Sequence, residues 1–167
     1  REIAAALGAE KIHAIYSSPL ERARETAAPL AEARGLSVEI CEALGEVRYG
    51  QWTGKSLRRL ARTRLWRVVQ QQPSAMEFPG GETLRAVQTR AVEAIERIAR
   101  AHAKDKDLVA CVSHGDVIKL VVAFYLGMPL DFFQRIIIGT ASVTSLRLGH
   151  GHPALVKLND TGPFEGR

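Results

Sequence analysis

Short apolar runs alternate along this chain with longer segments in which apolar residues recur at helical spacing. The run Leu108–Val112 is typical of a buried, parallel strand, and His13–Tyr16 is a second short apolar strand. Further strands are predicted over Val38–Ala43, Ala141–Leu148 and Ala154–Leu158, and helices over Ser18–Arg34, Thr83–His102 and Val117–Leu126. This alternation of strands and helices predicts an α/β fold.

A histidine lies on the turn between the strand Leu108–Val112 and the helix that follows it. The turn has the sequence Ser113-His114-Gly115-Asp116. In open α/β sheets, ligands bind in the crevice at the carboxyl ends of the strands, and the first amides of a helix favour anions. A single histidine at such a turn is weak evidence for a site, so a second signal is needed.

A second turn of the same design follows the first strand, and it contains Arg22. Ser18 is predicted to be the N-cap of the next helix, because Pro19 fits the first helical position and Ser18 to Glu21 has capping-box spacing. The alternative interpretation is a capped surface helix with solvated arginines. Two such turns, one with Arg22 and one with His114, favour a shared phosphate pocket, because a guanidinium fork can hold two phosphate oxygens at once.

Four segments occur in the order of a known set of motifs and together cover most of the chain. They are Ser18-Pro19-Leu20-Glu21-Arg22 with Glu25-Thr26-Ala27, Glu46-Val47-Arg48-Tyr49-Gly50-Gln51-Trp52-Thr53-Gly54, Phe78-Pro79-Gly80-Gly81-Glu82, and Val112-Ser113-His114-Gly115. On these segments the chain resembles the histidine phosphatase superfamily, also called the phosphoglycerate mutase-like family. Further segments resemble a bacterial subgroup described as probable phosphomutases. These are Leu65–Val69, Gly115–Lys119, Phe133–Ile136 and Leu158–Gly162.

The resemblance implies a three-layer αβα fold with a mixed, mostly parallel sheet flanked by helices on both faces. It also implies phosphoryl transfer to a histidine without a metal or other cofactor. Arg22 and His114 are then expected to bind phosphate together with the amide of Gly115. Glu46 matches the family's acid/base, and its pKa must lie above the free value of about 4.3 if it is to act as an acid near neutrality. Tyr49 matches a substrate-contacting position.

One family motif is absent: no Arg-His-Gly, whose histidine accepts the phosphate in relatives, occurs in these 167 residues. Arg1–Gly8 resembles the end of the helix that follows that motif. We therefore expect a single, N-terminally incomplete domain over residues 1–167, with a cap-like insertion over 55–78, that is inactive by itself. The missing strand is expected to separate Leu108–Val112 from Ala141–Leu148 by about two strand spacings, roughly 10 Å.

Composition is ordinary for a soluble enzyme domain, with 46% apolar and 25% charged residues. No apolar stretch approaches the roughly 20 residues of a membrane span. Cys41 and Cys111 form no paired motif and are expected to be buried, reduced thiols, which fits a cytoplasmic enzyme. His150 and His152 could suggest a metal, but the flanking glycines and Pro153 favour an exposed hairpin tip, and no metal site is predicted.

The net charge of +5 is concentrated in part on one predicted helix of the insertion. Its arginines are Arg58, Arg59, Arg62, Arg64 and Arg67. A solvated amphipathic face is the favoured interpretation, and steering of an anionic substrate is the second. Nucleic acid is the least favoured partner, because no helix-turn-helix, zinc finger or aromatic RNA platform accompanies the basic cluster.

Three functions stay open. The favoured one is a phosphomonoesterase that acts on a small phosphorylated metabolite through phosphohistidine. A phosphomutase would use the same residues, but glycolytic mutases of the family carry a longer insertion after the Glu46 motif than the segment Lys55–Phe78 found here. The third is a binder of phosphorylated ligands without catalysis. The oligomeric state is open as well, and a homodimer is one of the alternatives.

Overall fold

Three parallel strands form the sheet that carries the sequence-predicted site residues. The computed structural model describes residues 11–104, 107–149 and 151–162. Strand β1 (Ile12–Ser17) lies in the centre, with β2 (Val38–Ile40) on one side and β3 (Leu108–Val112) on the other, all parallel. The carboxyl ends of β1 and β3 therefore lie side by side, with Ser17 paired to Val112.

Helices cover both faces of this sheet, because side chains of a strand point alternately to opposite sides. The described residues form five α-helices, of which α1 packs on one face of this sheet and α4 on the other: α1 (Glu21–Arg34), α2 (Leu57–Leu60), α3 (Arg64–Gln71), α4 (Leu84–Ala101) and α5 (Gly115–Tyr125). On β3, Ala110 and Val112 pack with the α1 cluster, whereas Val109 and Cys111 pack with the cluster around Ile98 of α4. This arrangement confirms the three-layer α/β prediction.

A second, two-stranded sheet consists of β4 (Val143–Arg147) and β5 (Ala154–Asp160), which pair antiparallel. Among the described strands the parallel pairs therefore lie in one sheet and the antiparallel pair in the other. Within the described part of the chain, β3 pairs with β1 and not with β4. The expected spacing between β3 and β4 stays a prediction.

The insertion over residues 55–78 differs from its prediction in one respect. It contains two short helices, α2 and α3, in place of one Arg-rich helix. Thr63 separates them, because its side chain accepts a hydrogen bond from the Trp66 amide and so starts α3 as an N-cap. Val69 is buried in the main core, and Arg64 and Arg67 line a surface cavity of about 470 Å³.

The main core joins the insertion to α4 and α5. Its fully buried members include Met76, Leu84, Val87, Leu120 and Phe133. None of the helices in the described ranges is both long and apolar enough to cross a membrane.

Both cysteines are free thiols, as expected, but the two residues are only partly buried, so the expectation of buried thiols is met in part. Burial nevertheless raises the pKa of Cys111 to about 12, because the thiolate would be desolvated beside the α4 cluster. The Cys111 thiol therefore stays protonated at neutral pH.

Candidate active site

His114 lies at the centre of the candidate site. It follows the carboxyl end of β3 and occupies the N-cap position of α5, and only 6% of the residue is exposed. Its Nε2 atom is 2.7 Å from Oγ of Ser18, and its Nδ1 atom is 3.1 Å from Nη2 of Arg22. The two turns that the sequence singled out therefore meet at one imidazole.

The contacts of His114 assign its proton. A guanidinium can only donate, so Nδ1 must accept from Arg22, and the ring proton lies on Nε2, which donates to Ser18. Burial lowers the pKa of His114 to about 4, and the positive charges of Arg22 and Arg90 add to this effect. In this structure His114 is therefore a neutral imidazole at physiological pH.

Glu46 completes the cluster from the loop that follows β2. Its Oε2 atom is 3.5 Å from Nη2 of Arg22 and 3.7 Å from Nδ1 of His114, while Oε1 accepts a 3.0 Å hydrogen bond from the Val47 amide. Burial raises the pKa of Glu46, and the charge of Asp116 adds to it. This direction of the shift is the one a carboxyl needs to act as an acid near neutrality.

Tyr49 lies beside the cluster and is held at both ends. Its ring packs edge-on against Phe78 at 5.1 Å, and its hydroxyl donates a 3.0 Å hydrogen bond to Oδ2 of Asp116. Burial raises the pKa of Tyr49 well above its ordinary value, so the phenol remains a hydrogen-bond donor. Asp116 in turn accepts a 3.1 Å hydrogen bond from Lys119.

Gly115 is the first residue of α5, directly after His114. Its amide belongs to the first turn of the helix, where backbone N–H groups have no partner within the helix. The geometry therefore allows the predicted contact between this amide and an anion held by Arg22 and His114. That contact, like the catalytic roles of all five residues predicted from the sequence, stays a prediction.

Ser18 has a different role from the one the sequence predicted. It is not the N-cap of α1, because the helix begins later and Leu20 occupies the capping position without a side-chain cap. The Ser18 hydroxyl accepts from the Leu20 amide at 3.3 Å and from His114. Sequence reasoning attributed the serine to local capping and missed this contact across the two turns.

In the longer protein that carries the Arg-His-Gly segment, replacing Ser18 with alanine should lower stability by about 1–3 kcal/mol and kcat by about tenfold, because the buried Nε2–H of His114 would lose its acceptor. Denaturant unfolding and steady-state kinetics measure the two effects. Ser17→Ala is the matched control, since Ser17 is equally buried at 0% exposure but its hydroxyl donates to the carbonyl of Ser18. An equal loss of kcat in both variants would contradict the assigned contact.

The described residues contain no group of three or more His, Cys, Asp or Glu side chains arranged to hold a metal ion. His150 lies outside the described residues, so the hairpin-tip interpretation of His150 and His152 is tested only at His152, which is exposed.

Comparison with known proteins gives one family match. The model of the histidine phosphatase superfamily (branch 1) matches residues 1–161. Phosphoserine phosphatase 1 of Hydrogenobacter thermophilus is 29% identical over 164 residues, which cover 95% of this chain and 75% of that protein.

Solved structures agree with this match. The structure titled Bacillus stearothermophilus YhfR has a TM-score of 0.90 at 28% identity, and the alignment covers 98% of this chain and 82% of that one. A mycobacterial glucosyl-3-phosphoglycerate phosphatase in complex with inorganic phosphate has a TM-score of 0.85 at 26% identity, covering 96% and 83% of the two chains. These matches confirm the fold that the order of the motifs implied.

Proposed function

The chain belongs to the histidine phosphatase superfamily, and on that premise we propose that it supplies the phosphate-binding and acid/base groups of a phosphomonoesterase acting on a small phosphorylated metabolite. The observation that carries this proposal is the convergence of Arg22, His114 and Glu46 within 3.1–3.7 Å of one another at the carboxyl ends of β1 and β3. The three residues are far apart in the sequence, so they come together only because the fold brings their separate segments to one place.

The phosphoryl group is proposed to bind between Arg22 and His114. Phosphoryl transfer concentrates charge on three equatorial oxygens, and fixed donors must stabilise it. Arg22 supplies a guanidinium fork whose side chain is 61% exposed, so the fork can turn from His114 to an entering phosphate. The first amides of α5 add backbone donors beside it.

His114 changes its hydrogen-bonding role when phosphate binds. Without an anion, its Nδ1 atom accepts from Arg22. A phosphate oxygen in that place is an acceptor with negative charge, so Nδ1 must take up a proton in order to donate to it. With Nε2 still donating to Ser18, the ring is then an imidazolium that stabilises the phosphate, in keeping with the expected donor role of His114.

Glu46 is proposed to move the protons of the two steps. In the first, the imidazole nucleophile that the family resemblance implies forms an N–P bond, the ester P–O bond breaks, and Glu46 gives its proton to the leaving alcohol oxygen. In the second, the Glu46 carboxylate takes a proton from water as that water attacks phosphorus and the N–P bond breaks. Phosphate leaves, and Glu46 is protonated again.

The names of the relatives favour hydrolysis over mutase activity. They include a phosphoserine phosphatase and a glucosyl-3-phosphoglycerate phosphatase, and both names describe phosphomonoesterases. Tyr49, which lies beside Glu46, is proposed to contact the substrate. We further propose a cytoplasmic, bacterial enzyme that needs no metal.

Hydrolysis of small phosphomonoesters tests the proposed function. The longer protein expected from the sequence, with its Arg-His-Gly segment, should release phosphate from phosphoserine or another small phosphomonoester. The same panel measured with a bisphosphate primer separates the alternatives, because a mutase would return the phosphate to the substrate. Binding of phosphorylated ligands without turnover would favour the non-catalytic alternative.

Chelators should leave this activity unchanged, because guanidinium, imidazolium and backbone amides carry the charge stabilisation in the proposed steps. The measurement is the rate of phosphate release before and after dialysis against EDTA. A metal-dependent phosphatase treated in parallel serves as the control. A loss of rate that added divalent cations restore would show that the proposed chemistry is incomplete.

A further inference from the structure

The loop that carries Glu46 has little regular structure of its own. Between β2 and α2 it contains only two short 3₁₀ turns, Glu42–Leu44 and Gly50–Trp52. A carboxyl that must reach a leaving oxygen has to be held within hydrogen-bond distance of it. Contacts from outside the loop must therefore fix the backbone at Glu46.

Arg90 of α4 supplies three of these contacts. Its Nη1 atom donates to the carbonyl oxygens of Ala43 at 2.6 Å and Gly45 at 3.0 Å, and its Nη2 atom donates to the carbonyl oxygen of Glu46 at 3.1 Å. A single guanidinium thus binds three backbone carbonyls, the last of which belongs to Glu46. The Arg90 side chain is 22% exposed, so these hydrogen bonds lie largely out of water.

Glu82 orients this guanidinium. Its Oε1 atom accepts from Nε of Arg90 at 2.9 Å, and its Oε2 atom accepts from Nη2 at 3.0 Å, a bidentate pair. Burial alone would raise the pKa of Glu82, but the hydrogen bonds from Arg90 and Arg48 outweigh it and lower the pKa to about 2. Glu82 is therefore a carboxylate throughout the physiological range.

The same carboxylate also binds the far side of the loop. Glu82 accepts from the Arg48 amide at 3.0 Å and from the Arg48 side chain at 3.1 Å, and its own amide donates to the Arg48 carbonyl at 2.9 Å. A side chain at Gly81 would overlap the Arg48 carbonyl oxygen, and one at Gly50 would overlap the Pro79 carbonyl oxygen. These two glycines allow the two segments to pack backbone to backbone.

We propose that Arg90 and Glu82 are positioning residues for Glu46: together they hold its loop so that the carboxyl reaches the leaving group, without themselves touching the substrate. This inference rests on the proposed function of Glu46. It predicts that weakening the Arg90–Glu82 pair impairs proton transfer to the leaving oxygen more than it impairs phosphate binding.

The leaving group provides the test, because an aryl phosphate with an activated leaving group needs little protonation whereas an alkyl phosphate needs it fully. Arg90→Lys keeps the charge but loses the fork. In the longer protein it should lower kcat/KM for an alkyl phosphate by about tenfold or more and change kcat/KM for p-nitrophenyl phosphate by less than about threefold. Arg97→Lys, at an exposed position of the same helix, is the matched control and should change neither value.

Glu82→Gln is the second variant. It should likewise lower kcat/KM more for the alkyl phosphate than for p-nitrophenyl phosphate. Combined with Arg90→Lys it should add little, because both variants disrupt one hydrogen-bonded unit. An equal loss of kcat/KM for the two substrates, or no loss for either, would overturn the proposal. A residue with a merely structural role would affect both substrates alike, whatever their leaving group.

Amide hydrogen exchange over residues 43–48 gives a readout that needs no activity. Exchange there should be at least about tenfold faster in Arg90→Lys than in Arg97→Lys, because the loop loses its hydrogen bonds to α4. Unchanged exchange would overturn the proposal even if the kinetics changed. If the parent protein hydrolyses neither substrate, the proposed function fails, while the exchange measurement still decides whether Arg90 holds the loop.

Discussion

Replacing either Arg22 or His114 with alanine should lower kcat by on the order of 10² or more, because each substitution removes a donor to charge that develops on the phosphoryl oxygens. The two side chains are in direct contact, with Nη2 of Arg22 3.1 Å from Nδ1 of His114. Steady-state hydrolysis of a small phosphomonoester by the longer protein measures the effect. Inhibition by inorganic phosphate should weaken in both variants, because the product binds the same donors.

The matched controls are Arg24→Ala and His152→Ala. Arg24 lies two residues from Arg22 in α1 and is exposed, and His152 is exposed in the turn before β5. Both controls should keep kcat within about twofold, as surface substitutions usually have small effects. If His114→Ala keeps its activity while Arg22→Ala loses it, the shared phosphate site proposed here is wrong.

The strand-to-helix turns could be predicted because their signals are local. An apolar run, a polar turn and a second apolar stretch predict that His114 lies at the end of a strand, and the structure places it there. Parallel pairing of β1 and β3 then brings Arg22 to it. Arg22 and His114 meet because their strands are adjacent and parallel, and the alternation of strands and helices along the sequence predicts parallel strands.

Glu46 could not be identified from local pattern. The strand that precedes Glu46 has only three residues, and a 3₁₀ turn follows that strand. No periodicity therefore distinguishes Glu46 from a surface carboxylate. Only the family resemblance singled it out. Arg90 was missed for a related reason, because its contact with Glu46 joins residues 44 positions apart and depends on how α4 packs against the loop.

The wrong predictions of the Ser18 N-cap and of a single helix in the insertion have a common cause. Ser18 has capping-box spacing, yet its hydroxyl binds His114 because a buried imidazole N–H needs an acceptor more than a solvated helix end needs a cap. In the insertion, Thr63 offered an N-cap signal inside what was interpreted as one helix, and the chain starts α3 there. In both places a polar side chain had two structural options, and local spacing alone did not decide between them.

Glu46→Gln should lower kcat/KM for an alkyl phosphate by about 10²–10⁴-fold, the usual contribution of a positioned general acid. For p-nitrophenyl phosphate the loss in kcat/KM should be far smaller, because p-nitrophenolate leaves without a proton. The second step still needs a base to activate water, so this variant should release one equivalent of p-nitrophenol rapidly and then turn over slowly. Stopped-flow absorbance measures both phases, and the phosphohistidine that accumulates is acid-labile and base-stable.

The pH dependence of the parent enzyme provides the control for this result. Burial raises the pKa of Glu46, so the carboxyl stays protonated to a higher pH than an ordinary glutamate, and kcat/KM for an alkyl phosphate should fall as the pH rises through that raised pKa. This fall should be weak for p-nitrophenyl phosphate and absent in Glu46→Gln, whose amide does not titrate. Glu42→Gln, at the start of the same loop, should keep the parent profile. An unchanged alkaline fall in Glu46→Gln would assign the proton to another group and remove Glu46 from the role of acid, whatever the loss in rate.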